Sequence, residues 1–235
     1  MRIRWSFRAK FLVVLGGIYV AQIVFDRWMK VDYLSVLALS PNWQTFKWWQ
    51  VFTFSLVEYP HFTFHYVWAM WIIYQCVDPV VATLGRLSFF ILFFGASLFS
   101  ISTWWLCSSL LAFMHVQAFG FSASTFAILL VFCRTHNTAT LNIMWLLPIQ
   151  ATHFLYFIIF ASVVAFLAGE NPSFGLHIGG LIFAVIYTAR GERLFLGIAH
   201  WLATAPLKIR LYWRRRRRGI SLVKTNPHSN SDSIK

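Results

Sequence analysis

Two residues in this chain have the chemistry of a nucleophile and its base. Ser122 lies in "GFSASTFA" and His177 lies in "GLHIGGLIFAVIY". A serine hydroxyl is a weak nucleophile until a neighbouring group takes its proton, and an imidazole is the usual group to do so. Both stretches are apolar enough to lie in a lipid bilayer, where an ionisable ring costs a few kcal/mol or more. A hydrogen bond between Ser122 and His177 would offset that cost and couple the two groups chemically. Each residue also has a plainer reading. A serine in a membrane helix commonly bonds its own preceding turn, whereas a histidine in a span points to function by default.

For the pair to meet, two helices must carry them to one depth. The composition supplies such helices. Of 235 residues, 59% are hydrophobic and 11% charged, against about 25% charged in a soluble domain. Long apolar runs recur, and no period-2 alternation suggests a barrel. The expected fold is an all-α membrane protein, a six-transmembrane helical bundle, because helices satisfy their own backbone hydrogen bonds in lipid. The expected spans are 11–25, 65–80, 87–107, 120–133, 150–168 and 174–189. The aromatic segment 26–63, with Trp43, Trp48 and Trp49, is expected at the headgroup level, and "RTHNTATLN" is expected to be a polar connector.

The termini orient the spans. "MRIRWSFRAK" and "LKIRLYWRRRRRG" carry much of the net charge of +13, and basic flanks prefer the cytoplasmic side. Both ends are therefore expected in the cytoplasm, with a basic N-terminus over 1–10, a membrane domain over 11–190 and a basic, partly disordered tail over 191–235. Next to a membrane core, such charge is expected to meet anionic lipid headgroups and not nucleic acid. The first apolar stretch is expected to be a retained span and not a cleaved signal, since no small-x-small site follows it. Cys76, Cys107 and Cys133 show no metal-ligand or disulfide spacing, so neither a cofactor nor a metal is expected.

Even parity makes the second, fourth and sixth spans run the same way. His65 lies about 20 Å of helix before Asp78, Ser122 about 18 Å before Arg134 and His177 about 20 Å before Arg190, at about 1.5 Å per residue. In a hydrocarbon core of about 30 Å, all three groups fall in the outer half. Gly120, Ala123, Ala127, Gly179 and Gly180 surround the pair, and small residues let membrane helices approach closely.

These residues together resemble the rhomboid intramembrane serine protease family. "GFSASTFA" resembles its G-x-S-G/A signature with an aromatic four residues after the serine. "GLHIGG" resembles the A-H-x-x-G motif of the sixth span, "FTFHYVWAM" stands where the second span carries H-x-x-x-N, and "WWQVFT" resembles the W-R-x-x-T of the first loop. The resemblance covers roughly 11–190. It implies a rhomboid-type bundle in which Ser122 is the nucleophile, His177 the general base and Phe126 the aromatic under the imidazole. It also implies His65 near the oxyanion, and Gly120 and Gly180 as helix-contact glycines. The implied reaction is cleavage of a transmembrane substrate by a Ser–His dyad, with substrates and lipids as partners. A bacterial inner membrane is expected because the chain is compact and shows no Arg/Ser-rich transit extension.

The sequence also departs from the family pattern. The second-span asparagine falls on Ala69, which offers no donor; Trp68 beside it has an N–H. The loop arginine falls on Gln50, and the first-loop histidine falls near Glu58. The alternative reading is therefore a weak or silent rhomboid-like protein that binds transmembrane segments. A transporter using His177 as a proton relay is a third reading, against which Asp78, Arg134 and Arg190 all lie at expected span ends.

Overall fold

The computed structural model describes residues 6–40, 42, 45–58, 63–110, 117–143, 147–167 and 174–191. The tail expected over 191–235, Gly191 apart, and the first five residues lie outside that set, as does Trp43. Among the described residues six apolar helices dominate. Phe7–Arg27 (α1), Phe64–Leu84 and Arg86–Cys107 are long and apolar enough to cross a membrane, and Ser122–Thr135, Ala151–Leu167 and Phe174–Ala189 are shorter apolar helices. In full the later helices are Thr63–Leu84 (α4), Arg86–Leu110 (α5), Ser122–Thr135 (α6), Ala151–Leu167 (α7) and Phe174–Ile186 (α8), the last continued by a π turn at Tyr187–Gly191. Two one-turn helices, Leu34–Leu37 (α2) and Gln50–Thr53 (α3), lie in the long aromatic segment, and a 3-10 turn at Phe54–Leu56 follows α3.

Local chemistry sets the boundaries. Ser6 caps α1, its hydroxyl accepting from the Ala9 N–H at 3.1 Å. Gly85 alone separates α4 from α5, with φ +86°. That left-handed conformation is strained for residues with a Cβ and lets the chain leave one helix and enter the next. α4 runs past its expected end at Asp78–Pro79, with Pro79 inside it. Proline removes one intrahelical donor, but Val77 and Val80 on either side are fully buried and hold the helix in place.

α8 is the centre of the packing. Glycines bring it close to its neighbours: a Cβ on Gly179 would strike Ser100 and Thr103 of α5, one on Gly175 would strike Trp104, and one on Gly180 would strike the Ala123 backbone of α6. Lipid offers no hydrophobic driving force between helices, so close contact and buried hydrogen bonds must hold them. Thr103 donates to the Gly175 carbonyl at 2.8 Å. Ser97 and Ser124 share a hydrogen bond of 2.6 Å across α5 and α6. Arg134 donates to Thr188 at 2.6 Å. Nearer the start of α5, Phe11 of α1 packs edge-on against Phe89 and Phe93. Tyr19 of α1 stacks on Tyr66 of α4 at 3.8 Å. The outward faces stay apolar: Val13, Val14 and Val20 on α1 and Tyr156, Phe157 and Phe160 on α7 are exposed, as a lipid-facing surface requires.

The expected polar connector after α6 is partly a hairpin. Thr140–Ile143 (β1) pairs antiparallel with Leu147–Gln150 (β2), Thr140 opposite Gln150 and Ile143 opposite Leu147. Gln75 of α4 completes it: its side-chain oxygen accepts from the Asn142 N–H at 3.0 Å and its amide reaches the Asn142 carbonyl at 3.5 Å. Leu141 is buried beneath. Pairing satisfies backbone groups that a loose connector would leave to solvent.

Candidate active site

Ser122 is the first residue of α6, and α8 carries His177 a turn before Gly180. The contact of Gly180 with the Ala123 backbone brings the two helices together beside both residues. Both side chains are buried, at 3% and 5% exposure. The His177 imidazole lies flat on Phe126, with ring centroids 4.3 Å apart and planes 12° from parallel. Ser122 and Phe126 are one turn apart on α6, which places them on one face. The aromatic therefore holds the ring against the face of α6 that also bears the hydroxyl.

The expected Ser122–His177 hydrogen bond is not formed. Ser122 Oγ, His177 Nδ1 and His177 Nε2 are all buried with no hydrogen-bond partner among the described residues. The ring is held by stacking on Phe126 and by the close α6–α8 contact. Catalytic hydrogen bonds commonly tighten only when substrate is in place.

Phe121 caps α6 without a side-chain cap bond, so the first-turn N–H groups, including that of Ser122, lack intrahelical acceptors. They bring the positive end of the helix dipole to the hydroxyl. At 14 residues, α6 covers about 21 Å, short of a hydrocarbon core of about 30 Å. A helix of that length cannot reach both surfaces by itself, and other segments must complete it.

The aromatic segment does so. Leu39 and Ala118 exchange backbone hydrogen bonds of 2.8 and 3.0 Å, and the Gly120 N–H donates to the Phe54 carbonyl at 2.9 Å. Gly120 is not the expected helix-contact glycine. It lies in the turn before α6 at φ +97°, where an added Cβ would meet Glu58 Oε1 at 2.7 Å. The W-Q-x-x-T residues organise the other end of the segment. Trp49 donates to the Val36 carbonyl at 2.9 Å and Thr53 to that of Leu37 at 2.8 Å. Gln50 is fully buried. Its amide reaches the Ser35 and Val36 carbonyls at 3.2 and 3.4 Å, and its oxygen accepts from the Ser40 and Lys47 N–H groups at 3.3 and 3.1 Å. A neutral residue that both donates and accepts thus stands where the family pattern has arginine.

Glu58 is the residue whose role the sequence did not disclose. Its backbone N–H donates to Gln22 of α1 at 2.9 Å and its carbonyl accepts from the Tyr33 hydroxyl at 3.0 Å. Its carboxyl group accepts from the Phe121 N–H, the residue before Ser122, and burial pushes its pKa up to about 8 despite that bond. Oε1 has no partner among the described residues, and Oε2 is 3.9 Å from His65 Nδ1. The sequence signals were an acid in a mostly apolar run, "FSLVEYP", and the place of the family's first-loop histidine near it.

His65 stands in the first turn of α4, its side chain half exposed, and lies near enough to His177 for the rings to interact electrostatically. Ala69 follows one turn later on the same face and is buried; it presents a methyl group. Trp68 turns its ring toward Trp71 and Phe154.

A family model described as Rhomboid domain matches residues 45–192, a span that holds Gln50, Glu58, His65, Ser122, Phe126 and His177. No curated protein and no solved structure matches the chain.

Proposed function

The chain belongs to the rhomboid family of multi-pass membrane proteins, and from that premise we propose that it is an intramembrane serine protease acting through Ser122 and His177. The observation that carries this reading is the set of three buried polar atoms, Ser122 Oγ and both His177 ring nitrogens, that have no hydrogen-bond partner among the described residues and lie at the close α6–α8 contact. Buried polar groups without partners are rare, and in a native structure each asks for a reason. A reacting carbonyl and its amide would supply the missing partners.

In this mechanism Ser122 Oγ attacks a backbone carbonyl carbon as His177 takes the hydroxyl proton. The carbonyl π bond opens to an oxyanion. The C–N bond then breaks, His177 returns the proton to the departing amine, and an acyl-enzyme is left for water to hydrolyse. Phe126 holds the imidazole without a carboxylate. The Ser122 N–H and the His65 ring are the donors for the oxyanion. The substrate is a transmembrane segment that unwinds locally to expose a carbonyl, so helix-breaking residues in it favour cleavage. The site opens outward in a cell inner membrane, with both termini in the cytoplasm and lipid around the bundle.

One observation favours a second reading. Ala69 leaves the site without the donor that the family pattern places there, and losing one such donor typically lowers the rate by about 10²–10³. A chain so impaired would bind transmembrane segments without cutting them. A proton-relay transporter has less support, because Asp78 is paired with Arg8 at 3.1 Å and Arg134 with Thr188.

A fluorophosphonate probe separates the readings. It is expected to label the wild-type chain and neither Ser122→Ala nor His177→Ala. Equal labelling of all three chains, or of none, removes the protease reading. Cleavage of a model transmembrane substrate by Ala69→Asn then measures how much the absent donor matters; a gain of about tenfold or more is expected.

A further inference from the structure

Glu58 and His65 form an acid–imidazole pair at the edge of the site that the resemblance does not account for. We propose that the Glu58 carboxyl group is a positioning residue that determines which nitrogen of His65 carries the proton, and so whether His65 can donate to the oxyanion. The proposal rests on the protease reading for its consequence, but the pairing itself is a property of the fold.

The geometry gives Glu58 few alternatives. It is 2% exposed. Gln22 and Tyr33 pin its backbone on both sides, and Gly120 leaves just enough room for Oε1. Oε2 faces His65 Nδ1 at 3.9 Å, about 1 Å beyond a hydrogen bond, and Oε1 has no partner among the described residues. A small rotation of either side chain closes the pair. The other titratable groups facing it are hydroxyls and one ring: Tyr66 of α4, stacked on Tyr19 of α1, Tyr33 of the loop, and His177 of α8 beyond His65. Of these groups only a histidine ring can take up a proton, and His65 is the one whose ring nitrogen lies within 4 Å of the carboxyl group.

The proton count then decides the function. With Glu58 neutral, its O–H donates to Nδ1 of a neutral His65, whose single ring proton sits on Nε2 and can be given to a developing oxyanion. When the pair loses one proton to water, Glu58 becomes a carboxylate and accepts from Nδ1–H. Nε2 then carries a lone pair and repels the oxyanion. Only one proton leaves, and the remaining ring proton changes nitrogen by exchange with water. With Ala69 offering no amide, this switch removes the side-chain donor. Burial sets the transition near pH 8.

The test is a pH titration of the full chain labelled with ¹⁵N-histidine in lipid nanodiscs, with His65 assigned by its absence in His65→Gln. The expected result is movement of the His65 proton from Nε2 to Nδ1 with a midpoint near pH 8. In Glu58→Gln, whose amide N–H donates to Nδ1 at every pH, Nε2–H should persist. Unchanged His177 resonances show that the variant is folded. In parallel, probe labelling of the wild type should fall about tenfold or more above the midpoint, and Glu58→Gln should lack that fall. Persistence of Nε2–H to pH 9 in the wild type, or the same midpoint in Glu58→Gln, overturns the proposal. If Glu58→Gln does not fold, the wild-type titration decides alone. A tautomer change in a chain that the probe never labels upholds the pair and rejects the protease reading, so the two failures are distinct.

Discussion

The Phe126 ring lies parallel beneath the His177 imidazole, with centroids 4.3 Å apart. Among the described residues no hydrogen bond restrains either ring nitrogen, so this stacking is what sets the plane of the base. Aromatic pairs of this kind contribute about 0.5–1.5 kcal/mol beyond simple burial. Phe126→Leu keeps most of the volume and removes the flat surface. Probe labelling of Ser122 should slow by about 2- to 10-fold while the melting temperature changes little. Unchanged labelling in a folded variant would mean that something else orients the ring.

Gly180 sets the distance between the helices that carry the pair. A Cβ there would fall on the Ala123 backbone, which cannot move aside as a flexible side chain can. Gly180→Ala should destabilise the bundle by about 1–3 kcal/mol through overpacking and reduce labelling by about 100-fold, since a misplacement near 1 Å costs that much. Gly16→Ala is the control. Nothing lies within 4 Å of the Cβ it would add, and both measurements should stay at the wild-type level.

Gln50 makes bonds with four backbone groups of the loop from a fully buried position. Gln50→Ala leaves those groups unpaired, and each buried group without a partner costs about 1–3 kcal/mol. Gln50→Arg restores donors but has no acceptor for the Ser40 and Lys47 N–H groups. Both variants should melt at lower temperature than the wild type, the arginine variant between the other two. An arginine variant as stable as the wild type would show that the loop repacks around a cation.

Glu58 makes stability depend on pH. Its carboxyl group titrates near 8 in the folded chain against 4.5 when unfolded. Between those values the folded state binds the extra proton, so its stability is greatest below the lower value and declines as pH rises toward 8. Thermal melts in detergent from pH 4.5 to 8 should show that decline. Glu58→Gln cannot ionise and should flatten it. Parallel curves for the two chains would mean that Glu58 is not the group responsible.

Much of this protein was legible in its sequence. Charge is so costly in lipid that apolar runs must appear as such, and the six apolar helices lie close to the segments read from composition. The same cost makes a hydroxyl and an imidazole conspicuous inside those runs. Small residues at short spacing announced close helix contact, and Gly180 makes it with Ala123. The aromatic segment had no period to read. What it does is decided by bonds between residues far apart in the chain: Glu58 with Gln22 and Phe121, Leu39 with Ala118, Gln50 with four loop groups. Gly120 could not be told from a helix-contact glycine until its φ and its neighbour Glu58 were in view. The hairpin after α6 depends on Gln75 from a distant helix. Periodicity and transfer energy are local properties that a sequence carries by itself. Which side chains then satisfy one another across the bundle is settled only when the helices have packed, because a hydrogen bond needs its partner within about 3 Å.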